Sequence, residues 1–362
     1  MKRKAIFILI ACMLVALPLF GACGGAKPAQ TIELSYTNFF PPTNLHSVLA
    51  DQFCQEIEAR TNGAVKIEYY PGGSLSPAAQ TYEAVIEGIA DIGMSVLAYT
   101  MGRFPVMTLV DMPQGYPNGW VATMVANDYY SEYEPQEFDD THLLYFHAHG
   151  PGIVFTTKKP VRQLEDMQGL VIRSTGVGAK IAEALGSEGY AASQGEAYEL
   201  MSKGTIDGSL TPREVLKGWN QAEVVKYVTG CYDIGYTANM FVTMNKDKWN
   251  SLPGSVQKVF NQVSEEWIEK HGTVWTYYDK AGIDYFLSMP DRELIELSPD
   301  EMARWVAAVK PVKDEYINEI TGKGFDGAKY DEYLMKRIDY WAGKSPTEAE
   351  CLQWVNDNIA TE

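Results

Sequence analysis

Positive charge is scarce in this chain. Against 47 aspartates and glutamates stand 30 lysines and arginines and 5 histidines, a formal net charge of −17 at neutral pH. That balance argues against a nucleic-acid partner, which needs clustered cations to displace counterions. It also repels small anions at long range, so any anion site here must work through short contacts that outcompete a screened field. Cysteine is equally sparse, five in 362 residues. Cys12 and Cys23 fall near the amino terminus, and Cys54, Cys231 and Cys351 allow at most one bridge. Cys54 lies beside Ala50 and Ile57 on an apolar helical side, where a buried free thiol is the default, and no spacing suggests zinc. His147 and His149 share a strand face without a carboxylate or cysteine at ligand spacing, so both read as structural and no metal is expected. The chain has no Gly-x-Ser-x-Gly elbow, no His-Glu-x-x-His and no phosphate loop, which leaves no signature for an enzyme or a cofactor. Asp139 and Asp140 are the paired acids a hydrolase could use, and adjacent acids on a loop are ordinarily a solvated run. No repeat or low-complexity tract is visible, and beyond the amino terminus no run is apolar enough to cross a bilayer.

What is present begins with Lys2, Arg3 and Lys4 ahead of an uncharged, mostly apolar run from Ala5 to Phe20 that ends in Gly21-Ala22-Cys23. A spanning helix needs about 20 apolar residues, so this segment reads as an export signal. Leu19-Phe20-Gly21-Ala22-Cys23 resembles a bacterial lipobox, although Phe20 stands where leucine is usual. Residues 1–22 are then expected to be removed, leaving Cys23 as a lipidated first residue that anchors the protein to a membrane. Residues 23–30, rich in Gly, Ala and Pro, form a tether. Export places the mature chain in the periplasm or on the outer face of the cytoplasmic membrane. Without its leader the chain carries 27 basic against 47 acidic residues, a net charge of −20.

About 330 mature residues usually divide into two domains. A strand from Thr31 to Thr37 gives way at Pro41-Pro42 to a helical stripe of Leu45, Leu49, Phe53 and Ile57, which Asn62-Gly63 stops. Val65 to Tyr70 alternates as a strand, Pro77 to Glu87 reads as helix, and a short strand spans Asp91 to Val96. The rhythm returns at Leu143 to His147, Ile153 to Thr157, Leu170 to Arg173, Gly176 to Leu185, Ala197 to Lys203 and Ile206 to Leu210. Alternating strands and helices predict an α/β protein with mainly parallel sheets in two lobes. From Leu252 one apolar helical face continues through Val256, Phe260, Trp267, Trp275 and Phe286, about 50 Å at the rise of an α-helix. That is longer than a domain is wide, so the helix is expected to span both lobes across a cleft. Lobe I is assigned residues 31–151 with 239–282, and lobe II residues 152–238 with 283–362. Within the last segment Pro311 is expected to kink or split a helix.

Of the three arginines between Pro160 and Val228, Arg173 closes the apolar run Gly169-Leu170-Val171-Ile172. That puts a planar five-donor fork at the carboxyl end of a strand, where open α/β folds place their ligands. The plainest alternative is a surface salt bridge. Phe39 and Phe40, just past the first strand, offer rings to a ligand from the opposite lobe, with Tyr99, His149 and Phe241 as weaker candidates of the same sort; core packing competes for all of them. Thr211-Pro212-Arg213-Glu214 is a capping box with proline at the first helical position, and a helix amino terminus also binds anions. Arg213 is therefore either a second carboxylate partner, which would suit a diacid, or solvated. Arg162 reads as solvated.

An ordered series of short segments resembles the solute-binding proteins of tripartite ATP-independent periplasmic (TRAP) transporters. It runs through Phe40-Pro41-Pro42-Thr43, Arg60-Thr61-Asn62-Gly63, Tyr70-Pro71-Gly72-Gly73 and Glu87-Gly88-Ile89-Ala90-Asp91. It continues in Leu164-Glu165-Asp166-Met167-Gln168-Gly169-Leu170-Val171-Ile172-Arg173, Lys203-Gly204-Thr205-Ile206-Asp207-Gly208 and Met244-Asn245-Lys246. The resemblance covers nearly the whole mature chain. It implies a two-lobed binding protein with a long connecting helix, in which Arg173 salt-bridges a small organic acid. Delivery would be to a membrane carrier of one small and one large subunit, with no catalysis. Sialic-acid-binding members carry a second arginine where this chain has Val154, so sialic acid is not expected. Two readings of other classes remain at this stage, a secreted hydrolase acting on a carboxylated substrate and a surface sensor or adhesion lipoprotein.

Overall fold

The computed structural model describes residues 31–359; the leader, Cys23 and the whole tether of residues 23–30 fall outside them. In chain order the first segment forms β1 (Ile32–Asn38), α1 (Leu45–Arg60), β2 (Val65–Tyr70), α2 (Thr81–Ile86), β3 (Ile92–Val96), α3 (Gly119–Tyr133) and β4 (Thr141–Ala148). The second forms β5 (Ile153–Thr156), β6 (Val171–Ser174), α4 (Val177–Ala184), β7 (Glu188–Ala191), α5 (Gln194–Lys203), β8 (Gly208–Thr211), α6 (Val215–Gly218) and β9 (Tyr227–Gly230). The chain then returns through β10 (Asn239–Asn245) and α7 (Lys246–Ser251) to α8 (Gly254–Ser288), and ends in β11 (Glu293–Glu296), α9 (Pro299–Gly322), α10 (Gly327–Ala342) and α11 (Glu348–Asn358).

Local chemistry sets these boundaries. The Asn44 side chain accepts from the His46 amide at 2.9 Å to open α1. The stripe Leu49, Phe53 and Ile57 is completely buried, and the turn after α1 uses positive φ at Asn62 and Gly63. One sheet has the order β2-β1-β3-β10-β4 and the other β11-β9-β5-β8-β6-β7. Five ladders are parallel and four antiparallel, so the sheets are mixed rather than mainly parallel. The difference comes from β5 and β10, strands that follow a crossing between lobes and enter their sheets against the neighbouring strands.

Four segments join the lobes: residues 149–152, residues 231–238, α8 and α9. The two strand crossings lie against each other, with the Gly152 amide donating to the Tyr236 carbonyl at 3.0 Å and the Thr237 hydroxyl to the His149 carbonyl at 2.6 Å. A Cβ on Gly152 would sit 1.9 Å from Tyr236 Cε1, so no side chain fits at the crossing. Helix α8 is 35 residues long; Val263 and Trp267 pack in the first lobe's core, and Ile283 and Phe286 in the second's.

The carboxyl-terminal helices differ from expectation. Helix α9 runs unbroken past Pro311; its Trp305 and Val309 join the second core and its Ile320 the first. In α10, Leu334 and Ile338 pack with Val121, Val125 and Tyr129 of α3, and in α11 Val355 lies with Leu49 and Val274. Much of 283–362 therefore clothes the first lobe, not the second to which its sequence was assigned. An amphipathic stripe says which face of a helix is buried, not which sheet receives it.

Candidate functional site

Arg173 sits on β6, between β7 and β8. Its side chain is 1% exposed, and burial pulls its pKa below the ordinary guanidinium value by disfavouring the charge. Nε and Nη2 donate to the Ala192 carbonyl at 3.2 and 2.8 Å, Nη2 also to Thr175 Oγ1 at 3.0 Å, and Nη1 to Gln194 Oε1 at 2.8 Å. Those bonds use four of the five N–H groups and leave one on Nη1. The neighbouring Gln194 Nε2 is also buried without an acceptor among the described residues. No described carboxylate forms a salt bridge with Arg173, whereas buried charges are ordinarily paired. A desolvated cation and two adjacent unused donors are what a bound carboxylate would satisfy.

The cleft in front of Arg173 is closed. Phe39, Phe40, Tyr99 and Trp275 face it from the first lobe, Thr175, Gln194 and Thr211 from the second, and His149 and Tyr236 from the crossings. Only about 30 Å³ among these atoms admits the centre of a water, too little for an organic acid, so cargo enters only if the lobes part. Contacts across the cleft include Phe39 stacked on Trp219 at 6.1 Å, the Gln194 backbone N–H donating to Tyr99 Oη at 2.9 Å, and Asn44 Nδ2 to Glu214 Oε2 at 3.4 Å.

Six expected side chains meet at this cavity: Arg173 behind its wall, and Phe39, Phe40, Tyr99, His149 and Thr211 in it. Two do not. Arg213 pairs with the fully buried Asp279 at 3.1 Å and lies over the Tyr232 ring, so it is not a second carboxylate partner, and the diacid reading loses its cation. Phe241 is completely buried against Tyr82, Phe104 and Phe138 in the first lobe's core, on the opposite face of β10 from Met240 at the cavity. Thr211 ends β8, and the one-turn α6 starts after Glu214 without a side-chain cap, so the expected capping box does not form. Arg162, as expected, is exposed, with Glu293 at 2.8 Å. Sequence reasoning missed Gln194, Trp219, Tyr236 and Trp275. A signal existed for Gln194: Ser193 and Glu196 form a capping box around it, which fixes a polar side chain at a helix start.

The carboxylate whose charge acts on Arg173 is that of Glu196, which is spent on the Ser193 cap and forms no salt bridge with the guanidinium. Burial holds His149 uncharged, its pKa lowered to about 4. Burial, with Asp279 nearby, raises the Glu214 carboxyl to about 8, so near neutral pH it is largely protonated. The cavity thus presents one positive charge against an otherwise neutral wall.

Behind Trp275 lies a buried trio, His46, His147 and His271. His46 Nδ1 meets His271 Nδ1 at 3.0 Å, and Trp275 Nε1 donates to His147 Nδ1 at 3.0 Å. His147 stacks on His271 with centroids 4.1 Å apart and planes within 6°. The ring nitrogens of the three lie within 4.8 Å of one another, but His46 and His271 spend their Nδ1 atoms on each other and His147 spends its Nδ1 on Trp275, so the trio reads as a hydrogen-bonded cluster. All three are held uncharged by burial, His271 with a pKa of about 3. The unfolded chain protonates each near pH 6.5 and the fold does not, so their contribution is complete above that pH and is lost as pH falls. His271→Asn should lower the slope of unfolding free energy against pH, measured by denaturant titration between pH 6.5 and 5, by about one proton, ~1.4 kcal/mol per pH unit. An unchanged slope would refute the assignment.

Two lobes hinged over a closed cleft define the fold of a solute-binding receptor. The family model DctP, bacterial extracellular solute-binding protein family 7, matches residues 38–319, and the chain belongs to that family of TRAP solute-binding proteins. A TRAP periplasmic solute-binding protein of Desulfovibrio salexigens is 32% identical, covering 87% of this chain and 98% of its own, with a TM-score of 0.77. One from Bordetella bronchiseptica, solved with bound (R)- and (S)-mandelate, is 28% identical over 86% and 99%, with a TM-score of 0.79. A monocarboxylate 2-oxoacid-binding periplasmic protein of Nostoc is 26% identical over 64% of each chain, just under two thirds of its length. Among the described residues no helix is long and apolar enough to cross a membrane.

Proposed function

We propose that this protein captures a small organic monocarboxylate with an apolar, ring-bearing body and hands it to a TRAP membrane carrier of small and large subunits. The observation that carries the reading is the fully buried Arg173, which has no carboxylate partner among the described residues and unused donors on itself and Gln194. One cation suits one carboxylate, and the rings of Phe39, Tyr99 and Trp275 suit a flat hydrophobic body. The mandelate held by the Bordetella relative and the monocarboxylates named for the Nostoc relative agree with a single acid group. Closure follows from differential contact: cargo seated on Arg173 gives the Phe39 lobe a surface to close on. The test is calorimetry of mono- and dicarboxylates, aromatic and aliphatic. Stoichiometric heat with the aromatic monoacids, no turnover, and weaker diacids is the expected result; tight diacid binding or product release would overturn the reading.

The amino-terminal pattern supports export with a lipid on Cys23. Cys23→Ser should move the protein from the membrane fraction to the soluble periplasmic fraction, read by fractionation and immunoblot. Equal membrane retention would remove the anchor from the proposal.

A further inference from the structure

We propose that His149 reads the carbon next to the cargo's carboxylate, accepting a hydrogen bond from a 2-hydroxyl, so that the preferred cargo is a 2-hydroxy monocarboxylate rather than its 2-oxo counterpart. This rests on the Arg173 reading above. His149 Nδ1 lies 2.5 Å from the Gly150 carbonyl. A carbonyl can only accept, so Nδ1 carries the proton and, in an uncharged ring, Nε2 offers a bare lone pair. No donor among the described residues reaches Nε2, and the side chain lines the cavity. The ring is fixed edge-on against Tyr236 at 5.4 Å and Trp275 at 6.1 Å, so it cannot turn to offer Nδ1 instead.

Thr175 and Gln194, which hold the Arg173 guanidinium, line the same small cavity as His149. A carboxylate seated on Arg173 therefore brings its adjacent carbon, rather than the far end of the ligand, toward Nε2. A hydroxyl there supplies the missing donor. A carbonyl oxygen brings a second lone pair against the first and leaves both unpaired in a dry site, which is how buried polar groups discriminate sharply between close analogues. The other polar side chains at the cavity are already engaged: Glu214 accepts from Asn44 of the opposite lobe, Thr175 Oγ1 and Gln194 Oε1 accept from Arg173, and Tyr99 Oη accepts from the Gln194 backbone N–H. Thr211 donates to Gln194 Oε1 and Tyr236 to the Leu210 carbonyl; Gln194 Nε2 is the spare donor already counted toward the carboxylate.

The experiment is calorimetry with 2-hydroxy-2-phenylacetate, 2-oxo-2-phenylacetate and phenylacetate on the native protein, His149→Phe and His149→Gln. Native protein should bind the hydroxy acid at least about tenfold tighter than either analogue. In His149→Phe, which keeps a ring against Tyr236 and Trp275, the preference should collapse to within about twofold, and His149→Gln, able to accept through Oε1, should retain part of it. Melting curves check that both variants fold. A native protein that prefers the oxo acid, or a phenylalanine variant that keeps the hydroxy preference, overturns the assignment. Equal binding of all three acids, abolished by Arg173→Ala, overturns His149 alone; no binding of any acid overturns the carboxylate reading and this inference with it.

Discussion

Arg173→Ala should weaken cargo binding by about 2–5 kcal/mol, the cost of stripping a desolvated charge from its partner. Arg173→Lys should lose much of the same amount. A lysine offers one compact ammonium, and Ala192, Thr175 and Gln194 already claim four guanidinium N–H groups before any cargo arrives. The telling variant is Arg173→Met. An arginine kept in place only for packing would make methionine destabilising, because three hydrogen-bonded partners would lose their donor. A cation held dry for a ligand is instead a burden on the fold, and an apolar residue of similar length relieves it. Methionine should therefore abolish binding in calorimetry while the melting temperature stays level or rises. Retained binding with a collapsed melting temperature would sink the clamp.

Gly208→Ala should destabilise the fold by about 3 kcal/mol or more. A Cβ at Gly208 would lie 1.9 Å from the Phe155 carbonyl oxygen, a backbone atom of the paired strand β5, and 3.1 Å from Ile172 Cδ1. A flexible side chain could move aside, but a carbonyl held in a six-stranded sheet cannot without breaking its ladder. The same strand backs the site, since Ser209 pairs with Arg173. The prediction is a large drop in denaturant midpoint; cargo affinity should fall with it because the clamp's strand shifts. A variant within about 0.5 kcal/mol of native stability would show that the strand gives way more easily than its neighbours suggest.

The apolar periodicities were legible wherever a helix or strand buries a single face. The stripe of α1 and the length of α8 both appear in the chain as regular spacing, and an apolar run closing in arginine marked β6. What escaped were interactions that periodicity does not encode. The final helices choose between two sheets by shape, not by pattern. Phe241 and Met240 are both apolar and adjacent on β10, and only the pleat decides that one enters the core and the other the cavity. Arg213 reads like Arg173 in sequence until Asp279, 66 residues away on α8, is brought alongside. Trp219 belongs to none of the stripes read from the sequence, yet it meets Phe39 across the cleft. A site made where two lobes touch is written in pairs of distant residues, and one sequence shows each member of a pair without its mate.

The crossing at Gly152 has a mechanical corollary. With Tyr236 occupying the volume a methyl group would need, the two linking strands have no slack to slide past one another. They can twist only about the line along which they touch. A door on a pin swings through a repeatable arc, so the shut form has one outline, and a bound molecule too bulky for the arc to complete would leave the door ajar.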